Sequence, residues 1–104
     1  KRVYIAAVMK NGLFNKAPIP KGDIFKIGRS LQSCHYVISG DTNISRLHCY
    51  LRFDGKEIYL TDNSANGTFF SDGTRLIKNK EYHLAPGTRF YLATANHMLV
   101  VNME

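Results

Sequence analysis

The chain has 104 residues, a formal net charge of +6 and two cysteines. The length suits one domain with a modest core, and two cysteines exclude the disulfide framework of a small secreted domain. No apolar run approaches the roughly 20 residues that a membrane-spanning helix needs. The basic balance favours an anionic partner without specifying its kind. We expect residues 1–104 to form a single domain of a longer protein.

Short segments with the character of β-strands follow one another along the chain. They are apolar runs or alternate between apolar and polar residues, and they cover residues 3–9, 24–27, 48–53, 57–62, 88–93 and 98–101. Turn pairs such as Asn11-Gly12, Asp54-Gly55 and Pro86-Gly87 separate them, and no long window carries a helical stripe. Many short strands with regular turns predict an all-β sandwich or barrel, with a tight hairpin at Asp54-Gly55.

Residue types that suit phosphate occur in three segments at the ends of these strands, namely residues 28–30, 45–48 and 62–68. A phosphate monoester carries about −1.5 to −2 charges and three acceptor oxygens. A good site therefore offers a guanidinium fork, a hydroxyl and backbone N–H groups. Arg29, Ser45, Arg46 and the Asn66-Gly67 turn supply these groups. Gly28 lets the backbone pass closely before Arg29, and Gly67 permits a positive φ in the turn.

The order of these residues resembles a known signature. The motifs Gly28-Arg29, Ser45-x-x-His48 and Ser64-x-Asn66-Gly67-Thr68 follow one another as in the forkhead-associated (FHA) domain family. The resemblance extends from about residue 24 to residue 101. It implies an FHA-like β-sandwich of about 11 mostly antiparallel strands, whose apical loops bind a phosphothreonine peptide.

The resemblance also implies a role for each matching residue. Those that bind the phosphopeptide are Arg29, Ser45, Arg46 and Asn66. Those that support the site are Gly28, His48, Gly67 and Thr68. The arginines and the serine contact the phosphate, the asparagine hydrogen-bonds the peptide backbone, and the histidine is a buried brace that does not touch the ligand.

Two departures from the family pattern affect the loop that contains Asn66. Family members often carry threonine or another polar residue before the asparagine, where this chain has Ala65. Any contact from this position must therefore come from the backbone. The asparagine-glycine pair that commonly follows is replaced by Phe-Ser-Asp-Gly at residues 70–73, which predicts an altered turn.

Enzymatic and metal-binding interpretations of the same residues find little support. On a strand, Ser45 and His48 would point to opposite faces and would meet only if the loop bends sharply. No carboxylate is placed to orient the histidine, so we expect no enzyme. The pairs Cys34-His35 and His48-Cys49 lack the usual gap of about two to four residues between zinc ligands. We therefore expect no metal and no cofactor.

The predicted function is phosphorylation-dependent protein–protein interaction through phosphothreonine binding. The expected partner is a threonine-phosphorylated protein or a phosphorylated segment of the same chain, in the cytoplasm, where free thiols persist. Two alternatives remain open. One is a phosphate-independent FHA-type scaffold or oligomerisation surface, suggested by Ala65. The other is a basic nucleic-acid-binding β domain, although Lys and Arg are dispersed and not packed along one element. We expect no membrane contact from this domain.

Overall fold

The computed structural model describes residues 2–104, which form two five-stranded β-sheets. In chain order the strands are β1 (Val3–Met9), β2 (Gly12–Ile19), β3 (Phe25–Gly28), β4 (Tyr36–Val37), β5 (Cys49–Phe53), β6 (Ile58–Asp62), β7 (Thr68–Phe70), β8 (Glu81–Leu84), β9 (Thr88–Leu92) and β10 (Met98–Met103). One sheet has the order β2-β1-β10-β9-β7 and the other the order β4-β3-β5-β6-β8. All neighbouring strands are antiparallel except β3 and β4.

The prediction of an all-β sandwich is confirmed. Within residues 2–104 there are ten strands and one isolated bridge between Phe69 and Arg75, which supplies an eleventh extended segment. The described helical structure is a single 3-10 turn at Ala95–His97. No helix in this part of the chain is long and apolar enough to cross a membrane.

The core lies between the two sheets and is built from alternate residues of their strands. In β5 the residues Cys49, Leu51 and Phe53 are buried, as the sequence alternation predicts. From the opposite sheet, Phe90 and Leu92 of β9 are fully buried in the same cluster. Burial of this apolar area is the main favourable contribution to folding.

Four strands have no counterpart in the sequence prediction: β2, β4, β7 and β8. β2 lies at a sheet edge and is exposed along most of its length, so no buried face marks it in the sequence. The others are only two to four residues long. The hairpin at Asp54 is confirmed, with Phe53 paired to Ile58 and the Asp54 carboxylate accepting the amides of Lys56 and Glu57.

Strand register brings three loops to one end of the sandwich. Ile27 of β3 is opposite Cys49 of β5, which is opposite Asp62 of β6. Because these pairs are antiparallel, the segments that follow Gly28, precede Cys49 and follow Asp62 leave from the same edge. We call this edge the apical end. It contains the three segments that the sequence singles out.

Replacing Phe90 by alanine tests the core. The change removes a large, fully buried ring between the sheets, and we expect the free energy of unfolding to fall by about 3–5 kcal/mol. The neighbouring Arg89 is exposed on the same strand, so Arg89→Ala is a matched control with an expected effect within about 0.5 kcal/mol. Equal effects in urea-induced unfolding would contradict the packing described here.

Candidate functional site

Backbone hydrogen bonds tie the three apical segments together. The Arg29 amide donates to the Ser45 carbonyl at 3.0 Å, and the Ser30 amide donates to the Arg46 carbonyl at 3.2 Å. On the other side, the Asn63 amide donates to the His48 carbonyl at 2.9 Å. The segment at residues 45–48 therefore lies between the other two. These bonds hold loops that are 15 or more residues apart in sequence at fixed positions.

Gly28 is required because the backbone of residues 45–48, which we call the central loop, passes directly over it. A Cβ atom built at residue 28 would stand 2.2 Å from the Arg46 carbonyl oxygen and 2.9 Å from the His48 nitrogen. Both obstacles are backbone atoms and cannot rotate away. Only glycine permits the close approach that brings Arg29 beside the central loop.

The imidazole of His48 joins the central loop to the loop that follows β6. Its Nδ1 accepts the Ser45 amide at 3.0 Å, and its Nε2–H donates to the Gly67 carbonyl at 2.8 Å. The ring is completely buried, and this burial lowers the pKa of His48 below its ordinary value. The neutral ring is the form that makes both bonds, because a protonated Nδ1 could not accept the Ser45 amide.

The sharp bend that would let Ser45 and His48 meet is present. Strand β5 begins at Cys49, and residues 45–48 form a bent loop. The contact nevertheless uses the backbone nitrogen of Ser45 and not its hydroxyl. The arrangement therefore lacks the hydroxyl-to-imidazole bond that would activate a serine nucleophile.

Arg29 is oriented by its own loop neighbours. Its Nε donates to the Ile44 carbonyl at 2.9 Å, and the side chain is half-buried. Within residues 2–104 its terminal nitrogens donate to no other group, so one edge of the guanidinium fork remains available. Arg46 is exposed, and its side chain makes no hydrogen bond or ion pair with the described residues.

The hydroxyl of Ser45 is oriented by the third loop, which follows β6 and comprises residues 62–68. Its Oγ accepts the Ala65 amide at 3.1 Å, which uses one lone pair and leaves the hydroxyl hydrogen to be donated elsewhere. Ala65 thus contributes to the site through its backbone, as its lack of a polar side chain requires. The same bond fixes the distance between the central loop and the Asn66 turn.

Asn66 lies exposed at the tip of the third loop. Its side-chain amide donates to the Asn43 carbonyl at 2.9 Å, and its side-chain carbonyl accepts no bond from the described residues. The Asn43 amide in turn donates to Asp41, whose other carboxylate oxygen pairs with His97 at 2.7 Å. These bonds lower the pKa of the Asp41 carboxyl, the amide of Asn43 contributing most.

Asp62 is a structural residue of the site to which the sequence prediction gave no role. One of its carboxylate oxygens accepts the hydroxyls of Ser64 and Thr68, each at 2.7 Å, and the Ser64 amide. Ser64 Oγ accepts the Gly67 amide at 2.8 Å, and Gly67 has a φ of +96°. This network shapes the turn that presents Asn66. The spacing Asp-x-Ser, typical of an Asx turn, is a sequence signal that could have indicated it.

The four candidate metal ligands of the sequence are used in other ways. Cys34 Sγ donates to the Arg46 carbonyl, and the ring of His35 stacks on Phe25. Cys49 is completely buried, and its burial raises the pKa of its thiol. Within residues 2–104 no group of three His, Cys, Asp or Glu side chains is arranged to hold a metal ion.

Comparison with known families agrees with this geometry. A sequence model of the FHA domain matches residues 25–93, which is more than half of the chain. The chain belongs to the FHA domain family. The matched region contains every residue that the signature assigns to the site. No curated protein matches the chain in sequence.

Solved structures share the FHA fold of this chain. The MEK1 FHA domain in complex with a HOP1 phosphothreonine peptide is 26% identical, with a TM-score of 0.81 over 98% of this chain and 96% of that one. The FhaA FHA domain complexed with the intracellular domain of Rv3910 is 28% identical, with a TM-score of 0.77 over 96% and 99%. The N-terminal FHA domain of S. cerevisiae Rad53p, in complex with a phosphothreonine peptide, is 16% identical with a TM-score of 0.79 over 100% and 94% and shows the same fold. FHA domains are interaction modules and not enzymes.

Replacing Gly28 by alanine tests the loop contact in this FHA domain. Because the new methyl group would overlap backbone atoms of residues 46 and 48, we expect a destabilisation of about 1–3 kcal/mol and a displaced central loop. The amide NMR signals of Ser45 and His48 should shift strongly, whereas Ser39→Ala, an exposed change, should leave them in place. Unchanged signals in the glycine variant would contradict the close approach.

The buried His48 predicts a dependence of stability on pH. The unfolded chain takes up a proton at this residue below its ordinary pKa of 6.5, but the buried ring resists protonation. The unfolded state then binds more protons, so the free energy of unfolding should fall as the pH is lowered from about 7.5 to about 5.5. The lowered pKa values of Asp41, Asp54 and Asp72 start from 3.8 and act at lower pH.

Chemical denaturation at a series of pH values measures this effect. His48→Gln should be less stable than wild type near neutral pH, because Ser45 loses its acceptor, and its stability should decline less on acidification. His83→Gln changes an exposed histidine and should retain the decline. The same decline in the His48 variant as in wild type would show that this ring is not its source.

Proposed function

We propose that this FHA domain binds a phosphothreonine in a flexible segment of a partner protein, or of the parent chain, without chemical conversion. The observation that supports this most strongly is the convergence of Arg29 and Ser45. Both belong to the apical loops and have donors that the described residues leave unused, and both are oriented by hydrogen bonds to neighbouring loops. Preorganised donors of this kind bind a dianionic phosphate at little entropic cost.

Each side chain has a distinct task in the proposed complex. The guanidinium of Arg29 gives a charge-assisted fork to two phosphate oxygens, and the hydroxyl of Ser45 donates to the third. Arg46 adds an exposed positive charge beside them. Asn66, anchored through its amide to Asn43, uses its free carbonyl oxygen for a backbone N–H of the peptide. A few charged hydrogen bonds and a short peptide surface suggest micromolar affinity, about −7 to −9 kcal/mol.

The similar MEK1 FHA domain, which was solved with a HOP1 phosphothreonine peptide, supports the choice of ligand. The role of Ala65 fits as well, since its amide orients the Ser45 hydroxyl and no side chain is needed there. The proposal includes a signalling function and a cytoplasmic location. Two cysteines that remain free thiols suit a reducing compartment.

A titration with three matched peptides tests this function. We expect the phosphothreonine peptide to bind with micromolar affinity, and the phosphoserine and unmodified peptides to bind more weakly. Arg29→Ala should lose at least about 30-fold in affinity, because a charged hydrogen-bonded partner of the phosphate is removed. Arg89→Ala, which removes an exposed arginine from strand β9, is the matched control and should bind like wild type.

Equal binding of the three peptides would reject phosphothreonine recognition and favour the phosphate-independent scaffold. A random oligonucleotide that binds tightly at physiological salt, with an affinity that falls steeply as salt is added, would instead favour nucleic-acid binding. In both cases Arg29→Ala would no longer be expected to differ from Arg89→Ala.

A further inference from the structure

Arg75 lies beside the proposed site, although no motif in the sequence points to it. The turn at residues 71–73 reverses the chain after β7, so that Arg75 pairs with Phe69 in an isolated bridge. Its Nε lies 2.8 Å from the point where a Cβ atom of residue 67 would stand. Since Gly67 has no side chain, the guanidinium rests against the Asn66-Gly67 turn.

An aromatic stack beside the same turn also supports the arginine. The guanidinium carbon of Arg75 is 5.6 Å from the centre of the Phe69 ring, which is within the range of a cation–π contact. Phe69 stacks on Tyr91 of the neighbouring strand β9, with ring centres 5.0 Å apart and planes 14° from parallel. A long side chain that is held by two neighbours loses less conformational entropy when it binds a ligand.

The charge of Arg75 is not neutralised by the part of the chain that the structure describes. The residue is exposed, forms no ion pair and donates no side-chain hydrogen bond within residues 2–104. The carboxylate nearest in sequence, Asp72, accepts the amide of Thr74 in its own turn. Of the other carboxylates near the apical end, Asp41 pairs with His97 and Asp62 is buried.

We infer that Arg75 is a specificity-determining residue that binds a carboxylate side chain flanking the phosphothreonine of the ligand. The inference rests on the proposed function, because the ligand must first be placed by Arg29, Ser45 and Asn66. Asn66 holds the peptide backbone, and Arg75 lies against the residue that follows it. A peptide held there passes the guanidinium fork, whose geometry matches a carboxylate. The preferred partner thus carries acidic residues next to its phosphothreonine.

A peptide series with two protein variants tests this inference. The reference is a phosphothreonine peptide that lacks acidic residues, and glutamate replaces each flanking position in turn. At one or more positions glutamate should strengthen wild-type binding by about two- to fivefold. Arg75→Gln should abolish that gain and leave the affinity for the reference peptide nearly unchanged. Arg89→Gln, at another exposed arginine of the same sheet, should keep the gain.

The outcomes separate this inference from the function on which it rests. Thermal unfolding of Arg75→Gln close to that of wild type shows that the variant is folded. If glutamate gives no gain at any position, or the same gain in Arg75→Gln, the role of Arg75 is wrong while phosphothreonine binding stands. If the reference phosphothreonine peptide does not bind wild type, the proposed function fails, and the inference with it.

Discussion

The two hydrogen bonds of the buried His48 imidazole hold the apical end together. They connect the Ser45 amide to the Gly67 carbonyl and thus fix the two loops that present Ser45 and Asn66. Burial of the neutral ring strengthens both bonds, and without the ring each loop would lose a partner for a backbone polar group. The residues proposed to contact the ligand therefore lie at the surface, whereas His48, which holds their loops in place, is buried.

The strand residues form the core of the sandwich, and the loop residues form the candidate site. Alternating residues in β5 and β9 build the core between the two sheets. The register of β3, β5 and β6 then places three loops at one edge. Gly28 allows two of these loops to pass at a distance that no other residue tolerates. The Asp62 carboxylate and the Asn43 carbonyl accept hydrogen bonds from the third loop, and the Ala65 amide donates one to Ser45. Little therefore needs to be ordered when a ligand binds.

Most strands and the three loops of the site could be predicted from the sequence. The strands and contacts that were not predicted lack a local sequence pattern for physical reasons. Period-two alternation identified the strands with one buried face, but β2 is an exposed edge strand and lacks that pattern. The motif order predicted that the loops of Arg29, Ser45 and Asn66 meet, whereas the contact between Ser45 and His48 depends on a bend in residues 45–48 that periodicity does not show. The role proposed for Arg75 depends on a tertiary contact with Gly67 and on a stack across two strands. A single sequence does not show such contacts.

An NMR titration of the labelled domain with a phosphothreonine peptide shows whether the three separate loops form one phosphate site. We expect the amide signals of Arg29, Ser45 and Asn66, together with the Arg29 side-chain Nε–H, to shift along one binding curve. The unphosphorylated peptide should leave them in place. Shifts confined to a single loop, or located on the outer face of a sheet away from the apical end, would show that the three loops do not form one phosphate site.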